Sequence, residues 1–264
     1  MGSGISALAK NEEGQSPKTW SVFMSEAMSL LDRASPRELE YVGRMIDKEN
    51  YLLALEAIQN KCDPGKYRHY LQQSFSRPNY QPSKTHEKIK EIDFKVVITT
   101  NFDKVYDNLC NEHNYSISTY KESRKILGNI KSTSNLIIKA HGTIDDVANM
   151  VFTQQQYNDS RANYPEFYDL LRALFLTNTV LFLGYSLSDP DIQLVLETVA
   201  NSSNQSCPHY IAIKEGIDHE IKEYWSNSFN ISCLEYGPSY ENLPENIENL
   251  CDEVLNYREV KRIP

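Results

Sequence analysis

The chain has 264 residues, of which 40% are hydrophobic, 11% aromatic and 24% charged. A chain of this length and composition buries a sizeable core, which excludes intrinsic disorder as its main state. Its formal net charge of −9 argues against direct nucleic-acid binding, because such binding depends on basic surfaces that release counterions.

Membrane insertion, secretion and a cysteine framework are also disfavoured. The best apolar run, residues 178–184, is much shorter than the roughly 18 residues that span a bilayer. The first residues lack the basic and apolar regions of a secretory signal, so we expect a cytoplasmic protein. No Cys-x-x-Cys pair occurs, which indicates reduced thiols and no metal site. The five cysteines are Cys62, Cys110, Cys207, Cys233 and Cys251.

The first part of the chain is predicted to be helical, over residues 18–76. Apolar residues between 20 and 31 follow a period of 3.6 residues. Ser35-Pro36 starts a second helix, because proline is favoured in a first helical turn. A third helix covers residues 51–58 and ends before Asp63-Pro64-Gly65.

After a proline-punctuated connection, short apolar strands alternate with helices. Such alternation predicts an α/β fold, a Rossmann-like doubly wound parallel sheet covered on both faces. Ligands of these sheets bind outside the carboxyl ends of the strands. The strands are predicted at residues 94–100, 136–138, 179–183, 210–213 and 231–234, and the helices at 104–113, 164–176, 191–200, 221–225 and 241–255.

The first of four motifs is Gly2-Ser3-Gly4-Ile5-Ser6. Its glycines would let the backbone approach a pyrophosphate closely, with amide donors from the helix that follows. The alternative is an unstructured start of the chain. Doubly wound folds place such a loop after a first strand, and the sequence leaves open whether a strand precedes Met1.

Two further motifs follow the first two predicted strands. Asn101 carries an amide that could both donate to and accept from a ribose or a water, whereas Asp103 also suits a helix cap. His141 ends the second strand beside Gly142. Its ordinary pKa near 6.5 suits proton transfer at neutral pH, and the alternative is a structural histidine.

The fourth motif, Gly184-Tyr185-Ser186-Leu187-Ser188-Asp189-Pro190-Asp191, follows the third predicted strand. Glycine and hydroxyl groups at this position can bind a phosphate or a ribose. The alternative is a strand-to-helix turn that Ser188 or Asp189 caps.

Taken in this order, with Trp20 and the strand end Leu234-Glu235-Tyr236-Gly237, the motifs resemble the sirtuin superfamily. The closest resemblance is to the prokaryotic sirtuin-like branch of anti-phage defence systems. It extends from Gly2 to about Leu255 and implies a single NAD-binding domain over residues 1–264. Protein deacylases of the superfamily carry a zinc module held by two Cys-x-x-Cys pairs, which this sequence lacks, so deacylation is disfavoured.

The resemblance implies a role for each motif residue. Asn101 would position the nicotinamide ribose and the attacking water, and His141 would be the general base. Asp103 would contact the ribose or the nicotinamide amide. The remaining assignments are Gly2, Ser3 and Gly4 at the pyrophosphate, Ser6 as cap of the following helix, and Gly184, Ser186 and Asp189 beside the adenosine.

Three functions follow from the resemblance and stay open at the level of sequence. The first is an NAD+ hydrolase that takes NAD+ as its substrate without a metal and depletes it in anti-phage defence. The second is a non-catalytic subunit that binds NAD or ADP-ribose for sensing or assembly. The third is a sirtuin-like transferase. We expect a homo-oligomer, with the trigger on a defence partner and its contacts in the helical block, residues 18–76.

Overall fold

The computed structural model describes residues 1–111, 114–202 and 207–261. Within these ranges the chain forms six β-strands, all in parallel pairs. The strands are β1 (Val96–Thr99), β2 (Tyr115–Thr119), β3 (Asn135–Lys139), β4 (Leu181–Phe182), β5 (His209–Ile213) and β6 (Ile231–Glu235).

Helices precede and separate these strands. Short 3₁₀ segments lie at Met28–Leu30, Ile144–Asn149 and Tyr240–Asn242. The α-helices of the described ranges are α1 (Ser3–Ser6), α2 (Trp20–Ala27), α3 (Pro36–Asp47), α4 (Tyr51–Lys61), α5 (Pro64–Phe75), α6 (Lys84–Glu91), α7 (Val105–Cys110), α8 (Ser123–Ile130), α9 (Gln154–Asn163), α10 (Pro165–Thr177), α11 (Pro190–Ser202), α12 (His219–Phe229) and α13 (Leu243–Lys261).

The strands form two parallel sheets, in the orders β1-β3-β2 and β4-β5-β6. Leu136, Ile137 and Ile138 of the central strand β3 are all fully buried, as expected for a parallel strand covered on both faces. The predicted α/β class with a parallel sheet is thereby confirmed. The sheet, however, is divided between β1 and β4, and the edges of these two strands face each other across residues 1 and 2.

Four elements were not predicted from the sequence: β2, α6, α8 and α9. Strand β2 reads Tyr-Ser-Ile-Ser-Thr and lacks the continuous apolar run that marks the other strands. Its place explains this, because β2 lies at the edge of its sheet and pairs with β3 alone. An edge strand needs fewer apolar residues than a central one.

Local sequence signals set the helix boundaries in the predicted helical block. Ser35 and Glu38 form a capping box at the start of α3, with the Ser35 amide 2.8 Å from the Glu38 carboxylate. The Asp63 side chain accepts the amide of Lys66 at 2.9 Å, so the Asp63-Pro64-Gly65 segment that follows α4 also begins α5.

The helical block packs against the loops that follow β1 and β3. Phe23 of α2 shares one hydrophobic cluster with Phe102, Ile144 and Phe152. The rings of Phe102 and Phe152 have centroids 4.5 Å apart in an edge-to-face arrangement. The block therefore covers the carboxyl ends of the strands, where the motifs lie.

The cysteines and the helix lengths bear on the expectations from composition. Cys62, Cys110 and Cys251 are buried free thiols within the hydrophobic clusters. In the ranges that the structure describes, no helix combines the length and the apolar character needed to cross a bilayer.

Candidate functional site

The four motifs lie on four loops of the structure. They are the N-terminal loop (residues 2–6), the β1 loop (residues 100–103), the β3 loop (residues 139–144) and the β4 loop (residues 183–189). Three of them lie at carboxyl ends of parallel strands, the edge where α/β proteins place their ligands.

The N-terminal loop lies directly against the β4 loop. The Gly2 amide donates to the carbonyl of Leu183 at 3.0 Å, and the Gly4 amide donates to that of Gly184 at 2.9 Å. Gly184 has φ of +58°, and a Cβ there would lie 2.4 Å from the amide nitrogen of Ile5. Only glycine permits this approach. The Gly2 and Gly4 amides are thus engaged with protein, and their role at a pyrophosphate stays a prediction.

Asn101 and Asp103 of the β1 loop hold the N-terminal loop through hydrogen bonds. The Asn101 Nδ2 donates to the Gly2 carbonyl at 2.9 Å and to Ser6 Oγ at 2.8 Å. Ser6 Oγ in turn donates to Asp103 Oδ2 at 2.7 Å. The expectation that Ser6 caps the following helix is wrong, because Ser6 is the last residue of α1 and bonds Asp103 instead.

The buried Lys139 joins the β3 loop to the β1 loop by a hydrogen bond and to α7 by an ion pair. Lys139 is 1% exposed, and its Nζ lies 2.5 Å from the Asp103 carbonyl and 3.0 Å from Asp107 Oδ2. Burial raises the pKa of Asp107, and the Lys139 ammonium opposes that effect. Sequence reasoning assigned neither residue a role. The signal in the sequence that could have indicated this pair is a lysine at the end of an apolar strand.

His141 and Asp189 connect the β3 loop to the β4 loop. The His141 ring is 3% exposed, and its Nε2 lies 2.6 Å from Asp189 Oδ2. The Tyr157 hydroxyl donates to the same carboxylate oxygen at 2.8 Å and lies 3.2 Å from His141 Nε2. The other oxygen of Asp189 accepts the amides of Asp191 and Ile192, each at 3.0 Å, and so caps α11.

The protonation of this pair follows from burial and charge. Burial is the largest single influence on His141 and acts to lower its pKa, but the Asp189 carboxylate, with smaller contributions from Asp191 and the Ala140 backbone, raises the pKa above its ordinary value of 6.5. Burial acts to raise the pKa of Asp189, but the His141 ring, the Ile192 amide and the Tyr157 hydroxyl together lower it below its ordinary value. The two residues therefore form an imidazolium–carboxylate pair below the raised pKa of His141.

The structure gives some motif residues neighbours that the sequence did not suggest. Asp189, expected beside the adenosine, contacts His141. It also caps α11, as the alternative interpretation of its motif predicted. Ser186 lies on the exposed rim, with its Oγ 2.6 Å from that of Ser188. Tyr157 belongs to the unpredicted helix α9, and no motif marked it, because its contact with His141 depends on tertiary packing alone.

The contacts join the four loops into a closed ring. Asn101 links the N-terminal loop to the β1 loop, Lys139 links the β1 loop to the β3 loop, His141 reaches the β4 loop, and Gly184 returns to the N-terminal loop. In the described part of the chain, no group of three or more His, Cys, Asp or Glu side chains could hold a metal ion. The ring thus contains a buried group that can exchange a proton, His141, a fixed side-chain amide, Asn101, and the closely packed backbone of Gly184.

Comparison with known proteins places this ring in a family context. A family model described as a SIR2-like domain matches residues 95–234, which include the β1, β3 and β4 loops. The NAD(+) hydrolase ThsA of Enterococcus faecium is 28% identical over 138 residues, which cover 50% of this chain and 28% of that protein. Defense-associated sirtuin 2 of Bacillus subtilis is 27% identical over 148 residues, which cover 54% of this chain and 14% of that protein.

A further relative, the NAD(+) hydrolase ThsA of Bacillus cereus (strain MSX-D12), is 24% identical over 179 residues. That match covers 66% of this chain and 37% of the relative. The chain thus spans less than half the length of each of these relatives. Because the SIR2-like model matches more than half of its residues, the chain belongs to the SIR2-like family.

Proposed function

We propose that the chain is an NAD+ hydrolase that releases nicotinamide and ADP-ribose by cleaving the nicotinamide–ribose bond. The observation that carries the proposal is the closed ring of loops, in which Asn101 and His141 are held by direct contacts between distant segments. The names of the relatives, two of them NAD(+) hydrolases at 24–28% identity, support it further.

The chemistry of the bond defines what such a site needs. The C–N bond breaks with its electron pair moving to the pyridinium nitrogen, so nicotinamide leaves as a neutral molecule without an acid. The ribose passes through an oxocarbenium-like state, as in other glycoside cleavages. Water then forms the new C–O bond, and its proton must be taken up by a base, which typically contributes about 10²–10⁴-fold in rate.

His141 is the proposed base. When the imidazole takes a proton it becomes a cation, and the Asp189 carboxylate 2.6 Å from its Nε2 stabilises that cation. The same carboxylate orients the ring, together with the Tyr157 hydroxyl that donates to it. Asp189 is therefore proposed as a positioning residue for His141, in addition to the adenosine-side role that the resemblance implies.

Asn101 is proposed to orient the ribose and the attacking water. Its Nδ2 is held by Gly2 and Ser6, which sets the direction of Oδ1, the atom that would accept a hydrogen bond from a hydroxyl or a water. Asp103 would contact the ribose or the nicotinamide amide, and Ser3 and the loop glycines would lie at the pyrophosphate, as the resemblance implies.

The biological role proposed is depletion of NAD+ in the cytoplasm during anti-phage defence. The name of the Bacillus subtilis relative, Defense-associated sirtuin 2, supports this setting. Residues 1–264 would form one NAD-binding domain, active as a homo-oligomer or with a partner protein that supplies sensing. The helical block, residues 18–76, is the proposed place for those contacts.

The test measures nicotinamide and ADP-ribose release from NAD+ by wild type, Asn101→Ala and His141→Ala. His219→Ala is the matched control, because His219 is an exposed histidine of α12. We expect wild type and the control to release nicotinamide at similar rates. The two site variants should release it at least about 10²-fold more slowly. Full turnover by His141→Ala would contradict the assignment of the base.

A second candidate, a non-catalytic subunit that binds NAD or ADP-ribose, has one observation in its favour. His141 Nε2 and Asn101 Nδ2 are both engaged by protein groups, and His141 is buried. Titration of wild type and His141→Ala with NAD+ separates the two functions. Binding without nicotinamide release by any form of the protein would support the subunit and contradict the hydrolase.

A further inference from the structure

Asp191 is a second buried carboxylate beside the proposed base. It stands two residues after Asp189 at the start of α11, is 2% exposed, and its amide donates to Asp189 Oδ1 at 3.0 Å. A buried carboxylate is costly unless it is hydrogen-bonded and paired with a cation. The partners of Asp191 therefore decide what net charge it adds to the site.

Two neighbouring helices supply these partners. Arg161 of α9 donates from Nε to Asp191 Oδ1 at 2.5 Å, and the Tyr168 hydroxyl of α10 donates to Oδ2 at 2.8 Å. The Ser160 hydroxyl lies 2.6 Å from that of Tyr168. Both oxygens of the carboxylate are thus bonded, and the guanidinium, which keeps its charge throughout the neutral pH range, is the cation of the pair.

One face of α9 reaches both carboxylates. Tyr157 and Arg161 are four residues apart, a spacing that puts two side chains on the same side of a helix. The Tyr157 hydroxyl donates to Asp189 at 2.8 Å, and the Arg161 guanidinium lies 5.9 Å from the centre of the Tyr157 ring, within reach of a cation–π contact. The ion pair of His141 with Asp189 and that of Arg161 with Asp191 therefore lie side by side.

The protonation of His141 depends on this whole network. Burial, the largest influence, lowers the pKa of His141, whereas Asp189 and Asp191 raise it. Burial and the Asp189 carboxylate raise the pKa of the Tyr157 hydroxyl, so that hydroxyl stays neutral. The titratable and charged groups of the network are His141 of the β3 loop, Tyr185 and Asp189 of the β4 loop, Tyr157 and Arg161 of α9, Tyr168 of α10 and Asp191 of α11.

Two uncompensated carboxylates would hold the imidazole in its protonated form. A base must be neutral before it takes a proton from water, and each anion near an imidazole stabilises the imidazolium. Asp189 contacts the ring itself and orients it. Asp191 makes its ion pair with Arg161 instead, so the guanidinium can compensate this second carboxylate without displacing the first.

We propose that Arg161 is a positioning residue for His141, which neutralises Asp191 so that Asp189 alone acts as the counter-ion of the imidazole. This role rests on the proposed function, in which His141 takes the proton of the attacking water. A purely structural clamp between α9 and α11 would make the same contacts without any influence on the protonation of His141.

The test follows the protonation of His141 by NMR titration of its ring in the full chain, with the signal identified by its loss in His141→Ala. The forms compared are wild type, Asp191→Asn and the double variant Arg161→Gln/Asp191→Asn. Asp191→Asn keeps an acceptor for Tyr168 and removes the anion, so the ring should lose its proton at a pH lower by about 0.5 unit or more. The double variant removes both charges and should titrate like wild type.

The matched control is the double variant Arg172→Gln/Asp169→Asn, which removes an ion pair on the surface of α10 and should leave the titration unchanged. A double variant at Arg161 and Asp191 that titrates nearer to Asp191→Asn than to wild type would overturn the proposal. Asp191→Asn that titrates like wild type would overturn it too.

Arg161→Lys gives a second comparison that does not depend on the folding of the double variant. It keeps the cation and changes the contact geometry, so its His141 ring should titrate like wild type. A displacement as large as that of Asp191→Asn would show that charge compensation is not what Arg161 supplies.

Nicotinamide release by the same variants separates this role from the proposed function. The acid limb of release should move with the titration of His141 from one variant to the next. Release whose acid limb does not follow that titration would overturn the role of Arg161. The absence of release from every form would contradict the hydrolase, whereas the titration decides the charge network without any activity.

Discussion

The carboxylate of Asp189 lies 2.6 Å from Nε2 of His141, although the two residues are 48 positions apart in the chain. Asp189 also accepts the amides of Asp191 and Ile192 at the start of α11. One side chain is therefore both the counter-ion of a buried imidazole and a helix cap. Substitutions can separate the two roles, since asparagine keeps a cap acceptor and loses the charge.

Asp189→Asn is expected to change the pH dependence of nicotinamide release. In wild type, burial lowers the pKa of His141, but Asp189 and its neighbours raise it above 6.5, so activity that needs a neutral imidazole rises with pH through that raised value. Without the Asp189 charge we expect burial, the largest influence on His141, to lower its pKa, which moves the acid limb to lower pH. Release rates measured from about pH 5 to about pH 9 report the shift.

Tyr157→Phe is the matched control for this profile. It removes the hydroxyl that donates to Asp189 at 2.8 Å and leaves the carboxylate in place. We expect its acid limb to stay above the position found for Asp189→Asn. An unchanged profile in Asp189→Asn would show that His141 does not set the acid limb.

The ion pair of His141 and Asp189 predicts the pH range in which Asp189→Asn is less stable than wild type. The raised pKa of His141 contributes stability that is present below about pH 6.5 and is lost as pH rises through the folded value. The lowered pKa of Asp189 contributes stability that is present above about pH 3.9 and is lost as pH falls through the folded value. The difference in unfolding free energy from wild type should thus be largest between about pH 4 and pH 6.5. Urea titrations at several pH values test this, and a pH-independent difference would contradict it.

Asp189→Ala is expected to be less stable than Asp189→Asn by about 1 kcal/mol, because alanine also removes the cap of α11. The relevant contacts are the amides of Asp191 and Ile192, which the Asp189 side chain accepts at 3.0 Å. Chemical denaturation of the two variants at pH 8, well removed from the acid titration, gives the comparison. Equal stabilities would mean that the cap contributes little.

Gly184→Ala is expected to separate the N-terminal loop from the β4 loop. A Cβ at Gly184 would lie 2.4 Å from the Ile5 nitrogen, in addition to the strain of a positive φ. Gly216 has φ of +88° and no atom within 4 Å of an added Cβ, so Gly216→Ala reports the backbone strain alone. We expect Gly184→Ala to be less stable than this control by about 2 kcal/mol, with weakened NAD+ binding. If urea denaturation shows the same loss of unfolding free energy in both variants, backbone strain alone explains the effect of Gly184→Ala.

Lys139→Met is expected to be severely destabilising, because it leaves the Asp107 carboxylate buried and without its cation. Breaking a buried ion pair on one side costs about 3–5 kcal/mol. The double variant Lys139→Met/Asp107→Leu removes both charges and should recover much of that loss. Unfolding free energies of the two variants and wild type test this, and a double variant no more stable than Lys139→Met would contradict it.

Much of the architecture could be predicted from the sequence because its signals are local. Runs of β-branched and aliphatic residues indicated β1, β3, β4, β5 and β6, and serine, aspartate and proline marked the helix starts. Strand β2 could not be found this way, since an edge strand of alternating polar residues has no distinctive run. The residues at the strand ends could be named as candidates, since parallel sheets bind ligands at that edge.

The sequence alone thus determined the α/β class, the family resemblance and the motif residues at the strand ends. Only the tertiary structure decided which of those residues touch: Asp189 with His141, Ser6 with Asp103, and Gly184 with the N-terminal loop. The divided sheet also appears only in the tertiary structure. The reason is physical, since such contacts depend on how helices and strands pack across long chain separations, and local propensity carries no information about that packing.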